Sequence, residues 1–243
     1  MSSTSTGNQS ISPELTTSCD ASFTHLTAPD MEKPPSYEEA RIPRKPITYQ
    51  FSTLPNGACI LLPPSDAADS RPVYHVRTFQ SVFSPLARTT VIRRGGGDEG
   101  ELVGEFEFGM SSNKPYISIH GEFIELTYAL YKSGKAPGHI SHVVPGHWTW
   151  ARPPVRMYWD CTKRSTWTCT ISGGSTITGG KTLLAKYTPP DITPRGHLMP
   201  TLQVTPTGQQ YFDRIFITAI LLEQKATFPA FGGPMEYKEH FNF

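Results

Sequence analysis

Cysteine, net charge and long apolar runs are all scarce in this sequence, and each shortage excludes a class of protein. Lys and Arg number 22 against 21 Asp and Glu in 243 residues. No global positive field therefore draws in a phosphate backbone, and we expect no nucleic-acid partner. Four cysteines, Cys19, Cys59, Cys161 and Cys169, are spread along the chain, which starts without the basic and apolar regions of a secretory signal. We predict a cytoplasmic protein with buried thiols, the alternative being a disulfide between Cys161 and Cys169.

The most apolar stretch, DRIFITAILLEQKATF at residues 213–228, lies near the C-terminus. Its uncharged run, residues 215–222, would rise only about 12 Å as a helix, whereas the apolar core of a bilayer is roughly 30 Å thick. We therefore expect no transmembrane span. Asp213 near the start and Lys225 near the end match the dipole of a helix over about residues 211–225.

Apolar residues cover almost the whole circumference of this helix, which favours a helix buried on all sides over one docked on a surface. The predicted core positions are Ile215, Phe216, Ile217, Ala219, Ile220, Leu221 and Leu222.

Residues 1–46 are rich in Ser, Thr and Pro and show no helical or strand periodicity, so we predict a disordered tail. The tail contains Pro34, Pro35 and Tyr37 in the PPxY arrangement. The two prolines favour a polyproline II conformation, and the tyrosine offers a flat ring, which together suit the aromatic groove of a WW domain. A chance match in a Pro-rich segment is the alternative. A functional motif would recruit a WW protein, for instance a ubiquitin ligase that carries WW domains.

From residue 47 onwards, short runs of β-branched and aromatic residues alternate with Gly, Pro, Asn and Asp clusters, a rhythm typical of all-β domains. In "ELVGEFEF", for example, Leu102, Phe106 and Phe108 alternate with glutamates, which predicts one apolar and one polar face. Twelve candidate strands follow, at residues 47–54, 58–62, 73–79, 88–94, 101–108, 116–120, 122–128, 147–151, 155–160, 166–171, 182–187 and 198–204.

Strands with one apolar face must pair into a sandwich or close around something apolar. The C-terminal helix supplies that apolar centre. We therefore predict a mainly β domain over residues 47–228, an antiparallel barrel of about twelve strands closed around the helix, with a C-terminal extension at residues 229–243.

Several segments carry a resemblance to a known family: "TTVIRR", "GELVGEFEF", "HWTWARPPVRMYWD", "LLAKYTPP" and "GQQYFDRIFITAILLEQK". In pattern and order they resemble a family of fungal proteins, mostly basidiomycete, known as domain of unknown function 6593. That family is similar to the tubby-like and phospholipid-scramblase-like barrels, in which twelve strands wrap a hydrophobic C-terminal helix. The wider group is associated with binding to phosphoinositides or membrane surfaces.

Other motifs give weaker indications of a site. Arg93 and Arg94 flank a glycine-rich turn and could meet an anionic lipid surface at the rim of a barrel. "GGSTITGGKT" at residues 173–182 has the GK[ST] ending of a P-loop but lacks its first glycine and the following helix, so we interpret it as a hairpin loop. His120, His139, His142 and His147 lie in one third of the chain without a metal-ligand spacing, and we predict no metal or cofactor.

The sequence contains no local pattern of a catalytic nucleophile, base or carboxylate pair. We therefore expect a non-catalytic binding or adaptor protein. Binding of anionic phospholipid by the barrel is the alternative, and a carrier of a small apolar ligand is a third.

Overall fold

The computed structural model describes residues 43–80, 87–109, 115–137, 144–172, 180–193 and 196–227. The predicted tail, apart from residues 43–46, and the predicted C-terminal extension lie outside these ranges. All structural statements below concern the described residues.

Fifteen strands and three short helices form in these ranges, which confirms a mainly β fold. The strands are β1 (Ile47–Thr53), β2 (Cys59–Leu62), β3 (Tyr74–Gln80), β4 (Ala87–Arg94), β5 (Leu102–Gly109), β6 (Tyr116–Ile119), β7 (Glu122–Glu125), β8 (Leu130–Lys132), β9 (His147–Trp150), β10 (Met157–Asp160), β11 (Trp167–Ser172), β12 (Lys181–Thr188), β13 (Asp191–Thr193), β14 (Gly196–Leu198) and β15 (Thr201–Val204). The helices are α1 (Leu126–Ala129), α2 (Pro206–Gln209) and α3 (Phe212–Thr227).

Thirteen of the strands form one antiparallel sheet in the order β7-β6-β5-β4-β3-β2-β1-β15-β12-β11-β10-β9-β8. The hairpin of β13 and β14 stands apart from it. Every step along the order is antiparallel, so the two edge strands, β7 and β8, run in the same direction. In the described ranges no ladder joins β7 to β8, and the sheet is open between them.

The single helical turn α1 connects these two edges. The Leu126 amide donates to the Pro115 carbonyl at 2.9 Å on the β6 side, and the Ala151 amide donates to the Ala129 carbonyl at 3.0 Å on the β9 side. The prediction of one strand over residues 122–128 is therefore wrong from Leu126 onwards. Continued past the Leu130–Trp150 pair, the β8–β9 register reaches Pro153 and Pro154, which have no amide hydrogen and cannot extend a ladder.

Proline also divides the predicted strand at residues 198–204. Met199 and Pro200 separate β14 from β15, and β13 is not among the predicted strands. A further error concerns Leu102, which was predicted on the apolar face but is 38% exposed. A β-bulge opposite Arg93 shifts the register, so that Val103 points into the core instead.

Helix α3 provides the centre of the core, and its entry is set by a short cap. Thr205 accepts a hydrogen bond from the Gly208 amide at 3.1 Å, and Pro206 begins α2, both typical of a helix start. The predicted helix at about residues 211–225 corresponds to α3. Of the helices in the described part of the chain, none combines the length and the apolar character needed to cross a membrane.

Candidate functional site

The seven predicted core positions of α3, from Ile215 to Leu222, are all buried. Phe216 stacks on Tyr74, with ring centroids 4.4 Å apart and planes 9° apart. The ring centroid of Phe216 also lies 5.8 Å from that of Phe51. The indole Nε1 of Trp159 donates to Thr218 Oγ1 at 3.0 Å, which satisfies the one polar side chain in the middle of the helix. The helix is therefore held by strands on more than one side.

A polar cluster anchors the first turn of α3. Asp213 accepts a hydrogen bond from the Tyr74 hydroxyl and forms an ion pair with Arg94, whose Nη2 lies 2.5 Å from Asp213 Oδ2. His120 Nε2 lies 3.1 Å from the same oxygen, and Arg94 Nη1 donates to the Tyr74 hydroxyl at 2.9 Å. Residues from β3, β4 and the β6–β7 turn thus meet on one carboxylate.

Burial, followed by the negative charge of Asp213, raises the pKa of Tyr74 well above its ordinary value. The phenol therefore stays protonated and serves as a donor. The guanidinium of Arg94 is already paired with a carboxylate, which reduces its attraction for an outside anion. The cluster therefore joins the first turn of α3 to the sheet through hydrogen bonds and ion pairs.

Arg93 and Arg94, predicted to act together at a rim, have different environments. Consecutive strand residues point to opposite faces. Arg94 reaches Asp213 in the first turn of α3. Arg93 Nη1 instead donates to the Gly100 carbonyl at 2.9 Å, in the turn after β4. The structure does not gather the two side chains into one site.

A second polar group lies in the last two turns of α3. Glu223 is 8% exposed, and its Oε2 accepts a hydrogen bond from the Tyr187 hydroxyl. Burial raises the pKa of Glu223 to about 7, and the Tyr187 hydrogen bond opposes that rise in part. Burial and the charge of Glu223 raise the pKa of the nearby Cys59 thiol to about 12. Cys59 therefore lacks the thiolate that a nucleophile needs.

Glu223 and Cys59 line a small cleft, together with Phe51, Thr53, Val76, Met199, Pro200, Ile220, Gln224 and Thr227. Its volume of about 30 Å³ holds about two water molecules. Gln224 is fixed beside it, accepting from Thr90 at 2.9 Å and donating to Thr78 at 3.2 Å. The cleft can solvate the buried acid, but it is too small for an apolar ligand of drug size.

Other predicted site residues are not brought together. Pro34, Pro35 and Tyr37 lie outside the described residues, as do His139 and His142. His147 Nδ1 lies 3.6 Å from Asp160 Oδ1. In the strand order, His147 on β9 and His120 between β6 and β7 lie near opposite ends. No metal-binding group of His, Cys, Asp and Glu occurs in the part of the chain that the structure describes. Cys161 and Cys169 are buried free thiols.

Sequence reasoning missed the roles of Asp213 and Glu223. It assigned Asp213 only to the helix dipole and gave Glu223 no role. One signal was present: a carboxylate beside the apolar run of a helix surrounded on all sides must be buried and needs a partner.

A protein-family model matches most of the chain. The model of a family described as "Family of unknown function (DUF6593)" matches residues 64–227. No curated protein and no solved structure matches the chain.

Proposed function

We propose that this chain, which belongs to the DUF6593 family, is a non-catalytic adaptor whose N-terminal segment binds a WW domain. The observation that carries the proposal is the sequence PPSY, with Pro34, Pro35 and Tyr37 at the positions that a WW groove reads. In the sequence, the motif ends ten residues before the first strand, β1. A WW-bearing ubiquitin ligase is one partner of this chemistry.

The state of three polar groups in and around α3 supports a non-catalytic role. Asp213 is paired with Arg94, the Tyr74 hydroxyl stays protonated, and Cys59 is a neutral thiol. Asp213, Arg94 and Tyr74 stabilise the contact between α3 and the sheet, and Cys59 is buried beside Glu223. None of them combines exposure with an activated state, as a general base or a nucleophile requires.

We further propose that the domain is a closed, twelve-stranded, tubby-like barrel, in which β7, α1 and β8 act as one interrupted strand. Two observations support this. The edge strands run in the same direction and follow one another in sequence, and α1 hydrogen-bonds towards β6 at one end and towards β9 at the other. A cytoplasmic location fits the buried free thiols.

The two alternatives have less support. Binding of anionic phospholipid at Arg93 and Arg94 would require Arg94 to leave Asp213. A carrier of an apolar ligand would require space that α3 fills, since the cleft beside Glu223 measures about 30 Å³.

The adaptor proposal is tested by titrating the full-length chain with a WW domain of the group that binds PPxY peptides. Tyr37→Ala removes the ring that fills the groove, and we expect affinity to fall by about tenfold or more. Ser36→Ala is the matched control, because Ser36 occupies the variable position of the motif. Equal binding by the Tyr37→Ala variant and the unmodified chain would refute the proposal.

A further inference from the structure

The outer face of β5, β6 and β7 is acidic and aromatic. The register places Glu105 opposite Ser118, which is itself buried, Ser118 opposite Phe123, and Tyr116 opposite Glu125. These positions alternate with Phe106, Ile117 and Ile124, which face the core side. We name the set Glu105, Glu107, Tyr116, Phe123 and Glu125 the acidic aromatic face.

An aromatic pair lies on this face, with Phe123 exposed and Tyr116 partly buried. Phe123 is 69% exposed, the largest exposure among the large apolar side chains that the structure describes. Its ring centroid lies 5.7 Å from that of Tyr116, with the planes tilted by 41°. Aromatic side chains are enriched at protein interfaces relative to the rest of the surface.

Carboxylates surround this pair. Burial is the largest cause that raises the pKa of Tyr116, and the negative charges of Glu105 and Glu107 are the next. Both carboxylates therefore act on the Tyr116 hydroxyl. Glu125 lies across the β6–β7 ladder from Tyr116 and accepts from Thr127 Oγ1 at 2.7 Å.

Two arginines on the preceding strands are directed elsewhere. Arg93 on β4 donates to the Gly100 carbonyl, and Arg77 on β3 forms an ion pair with Asp98 at 2.8 Å. Both contacts draw these cations towards the turn between β4 and β5. The outward positions described on β5, β6 and β7 carry no Lys or Arg.

We propose that the acidic aromatic face docks an extended basic segment, rich in Lys or Arg, of a partner protein. Carboxylates attract and orient the cationic side chains, while the faces of Phe123 and Tyr116 accept them by cation–π contact. The same charges repel nucleic acid and anionic membranes. This inference goes beyond the adaptor proposal, because it concerns the folded domain and not the PPxY segment.

The test uses the full-length chain and a fluorescent peptide of alternating arginine and serine, with an alternating glutamate and serine peptide for comparison. Binding of the basic peptide to the Glu105→Gln, Glu107→Gln double variant should weaken by about fivefold or more, and binding to Phe123→Ala by about threefold. The Glu99→Gln, Glu101→Gln double variant makes the same charge change in the β4–β5 turn and should bind as the unmodified chain does. Thermal unfolding checks that each variant is folded.

Three results would overturn the proposal: no binding of the basic peptide up to about 1 mM, equal weakening in both double variants, or preference for the acidic peptide. Self-association that the Glu105→Gln, Glu107→Gln variant abolishes and the basic peptide fails to inhibit would assign the face to a second copy instead. Tyr37→Ala should leave peptide binding unchanged, so failure here and failure of the WW proposal are distinguishable.

Discussion

Replacing Glu223 with glutamine should raise the free energy of unfolding at neutral pH and make it less dependent on pH. The carboxyl has an ordinary pKa of 4.5, and burial raises it to about 7 in the folded state. Between these values the folded chain holds a proton that the unfolded chain releases, so the free energy of unfolding falls as pH rises. The shift of 2.5 units between the two values corresponds to a loss of about 3 kcal/mol.

Glu223→Gln keeps the shape and an oxygen that accepts from the Tyr187 hydroxyl, but it removes the charge. We expect the variant to gain up to about 3 kcal/mol over the unmodified chain at pH 7.5 and to differ little at pH 4.5. The assay is urea unfolding followed by fluorescence of the four buried tryptophans, Trp148, Trp150, Trp159 and Trp167. The range should stop below pH 8, because burial lowers the pKa of Lys225 to about 8 and adds an opposite trend above it.

Glu99→Gln, in the exposed turn between β4 and β5, is the control and should leave the pH profile unchanged. Parallel profiles for the unmodified chain and the Glu223→Gln variant between pH 4.5 and 7.5 would refute the reasoning. They would mean that Glu223 ionises in the folded protein as easily as in the unfolded chain.

Two other substitutions test how α3 is held. Asp213→Asn should lower the free energy of unfolding by about 2 kcal/mol, since it removes the carboxylate that pairs with Arg94. Urea titration measures this, and a cost no larger than that of the exposed Asp69→Asn would show that the Asp213 contacts do not hold α3. Gly104→Ala should cost about 1–3 kcal/mol, because the added carbon would lie 2.8 Å from Ile217 Cδ1 and from the Ser118 carbonyl oxygen. Adding Ile217→Val, which removes that Cδ1, should recover part of the loss in a double-mutant cycle, and strict additivity would show that the two sites do not touch.

The sequence predicted the strands and the helix where local pattern decides structure. Alternation marks a strand with one apolar face, and an apolar circumference marks a buried helix, so β1 to β6 and α3 were found within a few residues. The same reasoning misplaced Leu102 because a bulge depends on the partner strand. It missed α1 because the chain after Glu125 stops pairing with β6 and begins to pair with β9. Such a change of partner strand has no local sequence pattern.

Predicting the polar groups required knowledge of which distant residues meet. Tyr74 and Asp213 lie far apart in sequence, and only the path of α3 through the sheet brings them together. Arg93 and Arg94 are adjacent in sequence and looked like one basic site, yet their contacts differ because strand residues alternate in direction. Adjacency in the sequence therefore did not predict the site. The expectation that a carboxylate on a buried helix needs a polar partner would have predicted it better.

The position of α3 after all the strands of the sheet has a consequence for biosynthesis. Strand β1 is synthesised before the other strands and pairs with β15, and the apolar faces of the strands pack against a helix that is synthesised after them. Such distant pairings form slowly and leave apolar strands open to aggregation in the meantime. Nascent chains halted before Phe212 should therefore depend on chaperones, and release of the final helix should end that dependence.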